Sequence, residues 1–518
     1  MSFLENNKKA FLVLFFIYFI ANITLLTNLN AIYWDDWTLV GHSLETLNRT
    51  FLGAVGYSGY AISYLHYFMI NELGIYSYRL LTFILLFLSG FFVYMILTTL
   101  KIFSSKDRFF ITLFFLVAPL YSAKVALIDF SYTFYSTFFF LGFYLLSLYL
   151  YNLGIIKRIF ILILFFISFL VNSILIFYAI VLIYIFYKTY DIQSSFIRNF
   201  IYFLKTKIDF IILPIIYYCI KSIYFIPNGA HEGYNTISLF KMVNPEGYLK
   251  TIVYSFFEPI LNSFSDLLYL ISILFVFILF FNYFRKMNIL DNIKYENENK
   301  KIILGFLIFI LGAMAYLAVG KIPKHDDWNS RFQLLLPLGF SLIYYYVLNE
   351  IFKKQYLNYL LILSIVSFGF FHFKEQIKYN IDWYYQESII ENFKVSEKIK
   401  NNSTFIFINN LGNNLNNRNF RFYELNGMSR FVLNDDSKLF VENSQLIDDY
   451  KKYSKYIEYN FSSWKESEPV TIFINDNSKA IFGNNRKNKL KFFIKLKYLE
   501  LFDKEKYKKE VIKLVEIG

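Results

Sequence analysis

From residue 10 to residue 373 the chain returns repeatedly to apolar runs long enough to cross a bilayer, and beyond residue 373 it does not. A helix rises ~1.5 Å per residue, so about 20 apolar residues match a hydrocarbon core ~30 Å thick. The runs fall at 10–27, 76–100, 109–123, 132–153, 158–171, 174–188, 208–226, 265–284, 302–320, 331–350 and 356–373. They predict an α-helical polytopic membrane protein of about 11 transmembrane helices. Lys8-Lys9 followed by Ala10 to Leu26 reads as a retained first helix, since no small-x-small cleavage site follows it.

Residues 158–188 decide the count. As one helix they would extend ~46 Å, whereas Asn172-Ser173 offers a polar turn at their middle. Two short helices there put Lys8, Lys9, Lys101, Lys106, Arg108, Lys157, Arg158, Lys188, Arg198, Lys205, Lys207, Arg285, Lys286, Lys294, Lys300, Lys301, Lys353 and Lys354 on one side. The positive-inside rule makes that side cytoplasmic. A single helix would reverse every later basic loop. The acidic segments then face outward: 28–76, the loop with Lys124 and Asp129, 227–266 and 321–330. Two domains are expected: a transmembrane domain, 1–373, and an external α/β domain, 374–518, in the cytoplasmic (inner) membrane of a bacterium.

The net charge of +13 does not indicate nucleic acid. Residues 374–518 hold 25 Lys+Arg against 20 Asp+Glu, a mixed face, and the other basic residues sit mostly in short loops between apolar runs. One cysteine, Cys219, excludes a disulfide framework or a cysteine metal cluster. In the tail, Thr404 to Ile408, Val470 to Ile474 and Leu490 to Leu496 read as strands, Asp382 to Lys400 as a helix, and Asn409 to Asn419 as an Asn-rich loop. No glycine-rich phosphate loop follows a strand.

Trp34-Asp35-Asp36-Trp37 lies just past the first helix, and Asp326-Asp327-Trp328 just before the tenth. Adjacent carboxylates can share a divalent cation (Mg or Mn), or one can act as base while the other positions it. Indole faces beside carboxylates suit a sugar, so Trp34, Trp37, Asp326, Asp327 and Trp328 are candidate substrate contacts. Arg331 and Lys321, with Arg79 at the start of the second span, are candidates for a phosphate, which guanidinium binds with two parallel hydrogen bonds. Lys221 lies inside an apolar run, where an ionisable group points to function. His66, in an aromatic segment, reads as packing.

The layout, a first helix followed by an external Asp-Asp loop, resembles the GT-C class of membrane glycosyltransferases. Segments 226–235 (Ile-Pro-Asn-Gly-Ala-His-Glu-Gly-Tyr-Asn), 327–332 (Asp-Trp-Asn-Ser-Arg-Phe) and 422–428 (Phe-Tyr-Glu-Leu-Asn-Gly-Met) are also similar to bacterial members. The resemblance implies sugar transfer, with inversion, from a polyprenyl-phosphate-linked donor to a cell-surface glycan or glycolipid acceptor. Asp35 or Asp36 would be base or metal ligand, and Arg331 would stabilise the leaving phosphate. A lipid-linked glycan transporter or flippase, a glycan polymerase, and a non-catalytic assembly protein are the competing readings.

Overall fold

A computed structural model describes residues 7–227, 231–233, 236–265, 267–286, 299–325, 327–416, 418, 420–452, 464–483 and 485–518. Among these, five helices are long and apolar enough to cross a membrane: Lys8–Leu26, Tyr76–Leu100, Asn172–Thr189, Asn299–Leu317 and Tyr356–Val395. The protein is therefore a helical membrane protein. Further apolar helices are shorter or more polar, among them Ser105–Val117, Phe130–Tyr149, Ile155–Ser168, Ile208–Tyr224 and Pro337–Ile351.

Side-chain contacts gather the connections between helices at two ends of the bundle. At one end Lys188 Nζ donates to the Thr99 carbonyl (3.1 Å), closing the C-terminus of Tyr76–Leu100, where a cation meets the negative pole of the helix. There too Lys106 donates to Asn358 (3.1 Å), Lys301 approaches Asp107 (3.4 Å), and Arg158 pairs with Asp209. All of these belong to the segments rich in Lys and Arg. The chain breaks between Ile155–Ser168 and Asn172–Phe177 at the opposite end. Tyr151 and Lys188, which flank the pair, are hydrogen bonded (2.8 Å), as a hairpin of two short helices requires.

The expected domain boundary at 373/374 falls inside a helix. Lys354–Val395 runs unbroken for 42 residues, ~63 Å at helical rise and about twice the hydrocarbon thickness. Beyond residue 373 its sequence turns polar yet keeps strong helix formers and an i,i+3 pair, Lys378–Glu375 (2.6 Å). Its far half carries a four-stranded sheet of order β2-β1-β3-β4, where β1 is Thr404–Asn410, β2 Leu439–Val441, β3 Val470–Asp476 and β4 Val515–Ile517. The first three strands are parallel, and β4 runs antiparallel to β3. Phe393 of the long helix stacks on Phe440 of β2 (5.2 Å), which stacks on Phe405 of β1 (4.6 Å). Ser388 and Asn392 hold the carbonyl of Ile512 just before β4 (3.0 Å each).

The sequence predicts a strand at Leu490–Leu496; the structure corrects it. Those residues lie in the helix Arg486–Phe502. Phe492, Phe493, Leu496 and Leu499 are buried at helical spacing, and that period outweighs the β-propensity of a short window.

Candidate functional site

Trp34–Thr38 forms a single 3-10 turn, closed by the Thr38 hydroxyl donating to the Asp35 carbonyl (2.6 Å). Trp34 has φ +49°, in the left-handed region that costs an L-residue about 1–2 kcal/mol. Packing holds it there: its ring lies against Trp328 (5.2 Å) and Tyr379 (5.4 Å). The turn sends the two adjacent carboxylates different ways. From Ala31 to Val40 every residue is buried except Asp35, which is half-buried.

Asp36 points inward and accepts three backbone N–H groups, from Tyr33 (3.1 Å), Leu127 (2.8 Å) and Ile128 (2.9 Å). Burial pushes its carboxyl up to about 7, while the amides pull the other way by favouring the carboxylate. Asp36 thus ties the first loop to the loop before Phe130–Tyr149. With both its oxygens engaged, it does not fit the expected roles of base or of a metal ligand shared with Asp35. Among the described residues no three His, Cys, Asp or Glu side chains come together as a metal-ligand set. Asp36→Ala should lower stability by about 2–4 kcal/mol, because three amides lose a charged acceptor. Thermal melts of the purified variant check this; an unchanged melt would show that the brace is dispensable.

Asp35 faces a cavity of about 260 Å³ that Lys221, His231, Lys321 and Arg331 also line, with Tyr132, Tyr135, Asn172 and Ser173. The rest of its wall is apolar, including Leu170, Ile176 and Leu334. One carboxylate, three cations and an apolar flank therefore meet in one space, at the small end of ligand-pocket sizes. The Arg331 guanidinium stacks on Trp328 (4.1 Å) and Phe332 (4.9 Å), which fixes its plane. Its turn, Asp327–Gln333, is held in turn by the 121–123 loop: Ala123 N donates to Ser330 Oγ (2.8 Å) and Tyr121 N to Gln333 Oε1 (3.3 Å).

Other predicted site residues lie elsewhere. Arg79 is buried, donates to the Leu29 carbonyl (2.8 Å) and covers the Tyr33 ring (5.3 Å), so it braces the loop and does not reach the cavity. Trp34 and Trp37 are buried packing residues, so neither presents a face to a sugar. The Trp37 indole donates to Gln386 (2.8 Å) and stacks on Trp383 (6.4 Å). Trp328, expected as a sugar contact, is not among the residues lining the cavity; its ring lies under the Arg331 guanidinium. Asp326 and the side chain of Asp327 lie outside the described residues. His66 is fully buried, stacked on Phe51 and bonded to the Tyr78 hydroxyl (2.9 Å), as packing requires. Lys124 is buried away from the cavity, bonded to Asn22 (2.7 Å) and near His372 (3.3 Å).

Two features were not singled out as site candidates in the sequence. Asp129 is buried beside the cavity wall, and neither carboxyl oxygen has a hydrogen-bond partner among the described residues. Burial lifts its carboxyl well above the usual range, against the pull of Arg331. Its place directly after the apolar stretch Val125–Ile128 was the one available signal. The second feature is a buried triad: Arg418 pairs with Asp382 (3.0 Å) of the long helix and with Glu424 (2.5 Å). Nothing local in the Asn-rich loop marks Arg418 as buried.

Helix Phe422–Leu433, which carries the 422–428 segment, packs directly on the Trp34–Thr38 turn. Arg430 donates to the carbonyls of Trp37 and Val40 (3.0 Å each). A Cβ at Gly427 would lie 2.6 Å from the Cβ of Trp37, so only glycine permits this approach. No family model matches the chain, and no curated protein matches it.

Proposed function

We propose that this protein is a membrane glycosyltransferase of the GT-C kind, moving a sugar from a polyprenyl-phosphate-linked donor to a glycan or glycolipid acceptor on the outer face of the bacterial cytoplasmic membrane. The observation that carries the reading is the Asp35 cavity: a half-buried carboxylate and three cations lining one space, with an apolar wall, at the end of the bundle away from the basic connections. An eleven-crossing topology with a cytoplasmic N-terminus and an external C-terminal domain belongs to the same proposal. It is supported by helical residues at each of the eleven predicted runs and by the segregation of basic segments to one end.

In the reaction Asp35 takes the proton of the acceptor hydroxyl as that oxygen attacks the anomeric carbon. The bond from the anomeric carbon to the phosphate oxygen breaks, the configuration inverts, and polyprenyl phosphate leaves. Lys221, Lys321 and Arg331, which line the same cavity as Asp35, offset the charge that grows on the phosphate, since preoriented cations favour the transition state most where charge develops. Helix Phe422–Leu433, seated on the Asp35 turn, couples the C-terminal domain to the site; in this reading that domain helps bind the acceptor.

Arg331→Gln should raise KM for the lipid-linked donor by about 10- to 100-fold, since a charge-assisted hydrogen bond contributes about 1.5–3 kcal/mol. Arg331→Lys should recover only part of this, because the stacked planar fork is lost. The assay is transfer from radiolabelled polyprenyl-phosphate sugars by purified protein in nanodiscs. Equal KM values for wild type and Arg331→Gln would remove Arg331 from the donor site. Movement of lipid-linked glycan across vesicles, with no transfer across a broad donor panel, would replace the enzyme by a transporter.

A further inference from the structure

The helix Arg486–Phe502 buries Phe492, Phe493, Leu496 and Leu499 against the rest of the protein. Its other half is unusual for a domain outside the membrane. Leu490, Ile494, Tyr498, Leu501 and Phe502 are each between 60% and 72% exposed. At 100° per residue, 490, 494, 498 and 501 form one continuous stripe. Lys487 and Lys491 are exposed on the same half of the helix, as is Lys495, which pairs with Glu510 of the next helix (3.0 Å).

The position of this helix is fixed relative to the bundle. Lys497 donates to the Thr27 carbonyl and to Asn28 Oδ1 (2.7 Å), the residues directly beyond the end of the first apolar helix. Thr27 is also held by Asn380 of the long helix (2.9 Å), and Tyr384 stacks on Phe493 (5.8 Å). Below this junction Leu12, Phe16, Phe19 and Ile23 of the first helix are exposed, as lipid-facing side chains are. The exposed stripe therefore sits at the level where the lipid-facing surface of the first helix ends.

We propose that Arg486–Phe502 is an interfacial helix that lies on the bilayer surface, its apolar stripe among the upper acyl chains and Lys487 and Lys491 on lipid phosphates. Leucine and aromatic residues combined with lysines on one helix suit this depth. Lysines near an anionic surface add electrostatic attraction. Water would otherwise cover a contiguous apolar patch that folded proteins seldom leave open. The inference needs only the membrane character of the protein and is independent of sugar transfer. Docked in this way, the helix would hold the C-terminal domain, and with it Phe422–Leu433, at a set height over the Asp35 turn.

The test is spin-label accessibility in the full-length chain in phosphatidylcholine nanodiscs containing phosphatidylglycerol. Cys219 is replaced (Cys219→Ser), and single cysteines are placed at Leu490, Ile494, Tyr498 and, for comparison, Glu505, which is exposed on the next helix. Labels on the stripe should show a several-fold higher ratio of oxygen to aqueous nickel relaxation than the label at Glu505. A ratio equal to that of Glu505 would place the stripe in water and overturn the proposal. Protection from both reagents with spin–spin coupling between molecules would show that a second copy covers the stripe, and would also overturn it. Each label occupies an exposed side chain, so folding does not depend on any one position. Loss of the high ratio in Ile494→Glu with the label at Leu490 would confirm that insertion of the stripe produces it.

Discussion

Asp35→Asn will lower kcat for sugar transfer by roughly 10²–10⁴-fold, the usual contribution of a positioned general base, while leaving the fold intact. Such a drop corresponds to about 3–5 kcal/mol of transition-state stabilisation. Asn keeps the shape of Asp35 and its place in the cavity but cannot take the hydroxyl proton. Its backbone carbonyl still accepts from Thr38, so the turn remains closed. The neighbouring substitution separates chemistry from architecture. Asp36→Asn puts an amide nitrogen where three backbone N–H groups need an acceptor, and its loss of transfer should follow its loss of folded protein. Steady-state kinetics and thermal melts of both variants in the same lipid decide the matter. Full transfer by Asp35→Asn would exclude it as base, and loss of transfer in a folded Asp129→Asn would move that role to Asp129.

Arg418→Ala should destabilise the C-terminal part by about 3–5 kcal/mol, the cost of leaving buried partner charges uncompensated. Arg418 is flanked by two buried carboxylates, Asp382 and Glu424. Asp382 also accepts from Gln386 (2.8 Å), and Gln386 accepts from the Trp37 indole (2.8 Å). One polar chain therefore connects the Trp34–Thr38 turn, the long helix and the loop before Phe422–Leu433. Removing its cation should loosen the seat of that helix and lower transfer as well as stability. Thermal melts measure the first effect, and limited proteolysis after residue 396 reports release of the sheet. Neutralising the partners in Arg418→Met/Asp382→Asn/Glu424→Gln should restore part of the melt, since apolar packing can replace a buried ionic cluster. A melt for Arg418→Ala equal to wild type would mean that the triad contributes nothing.

The C-terminal part shows where local sequence signals work and where they fail. Thr404–Ile408 and Val470–Ile474 were legible as strands because both are short, β-branched or aromatic and bounded by turn formers. Leu490–Leu496 has similar composition but belongs to a longer helical pattern whose inward face is set by Phe492, Phe493, Leu496 and Leu499. The continuation of the long helix past residue 373 was hidden for a different reason. Hydropathy marks where the membrane ends, and an α-helix need not end there.

The sequence by itself determined the membrane class and the positions of the apolar helices, because these depend on composition along the chain and on helical rise. It also drew attention to Trp34-Asp35-Asp36-Trp37 and to Asp327-Trp328-Asn329-Ser330-Arg331. Tertiary structure alone decided which of two adjacent carboxylates faces the cavity and which is spent on backbone amides of residues 127 and 128. It likewise turned Arg79, Trp34 and Trp37 inward and brought Lys221, Lys321 and Arg331 together with Asp35. Neighbours in sequence share a composition, but a single turn of backbone points successive side chains in different directions, and only the packing around that turn determines what each one meets.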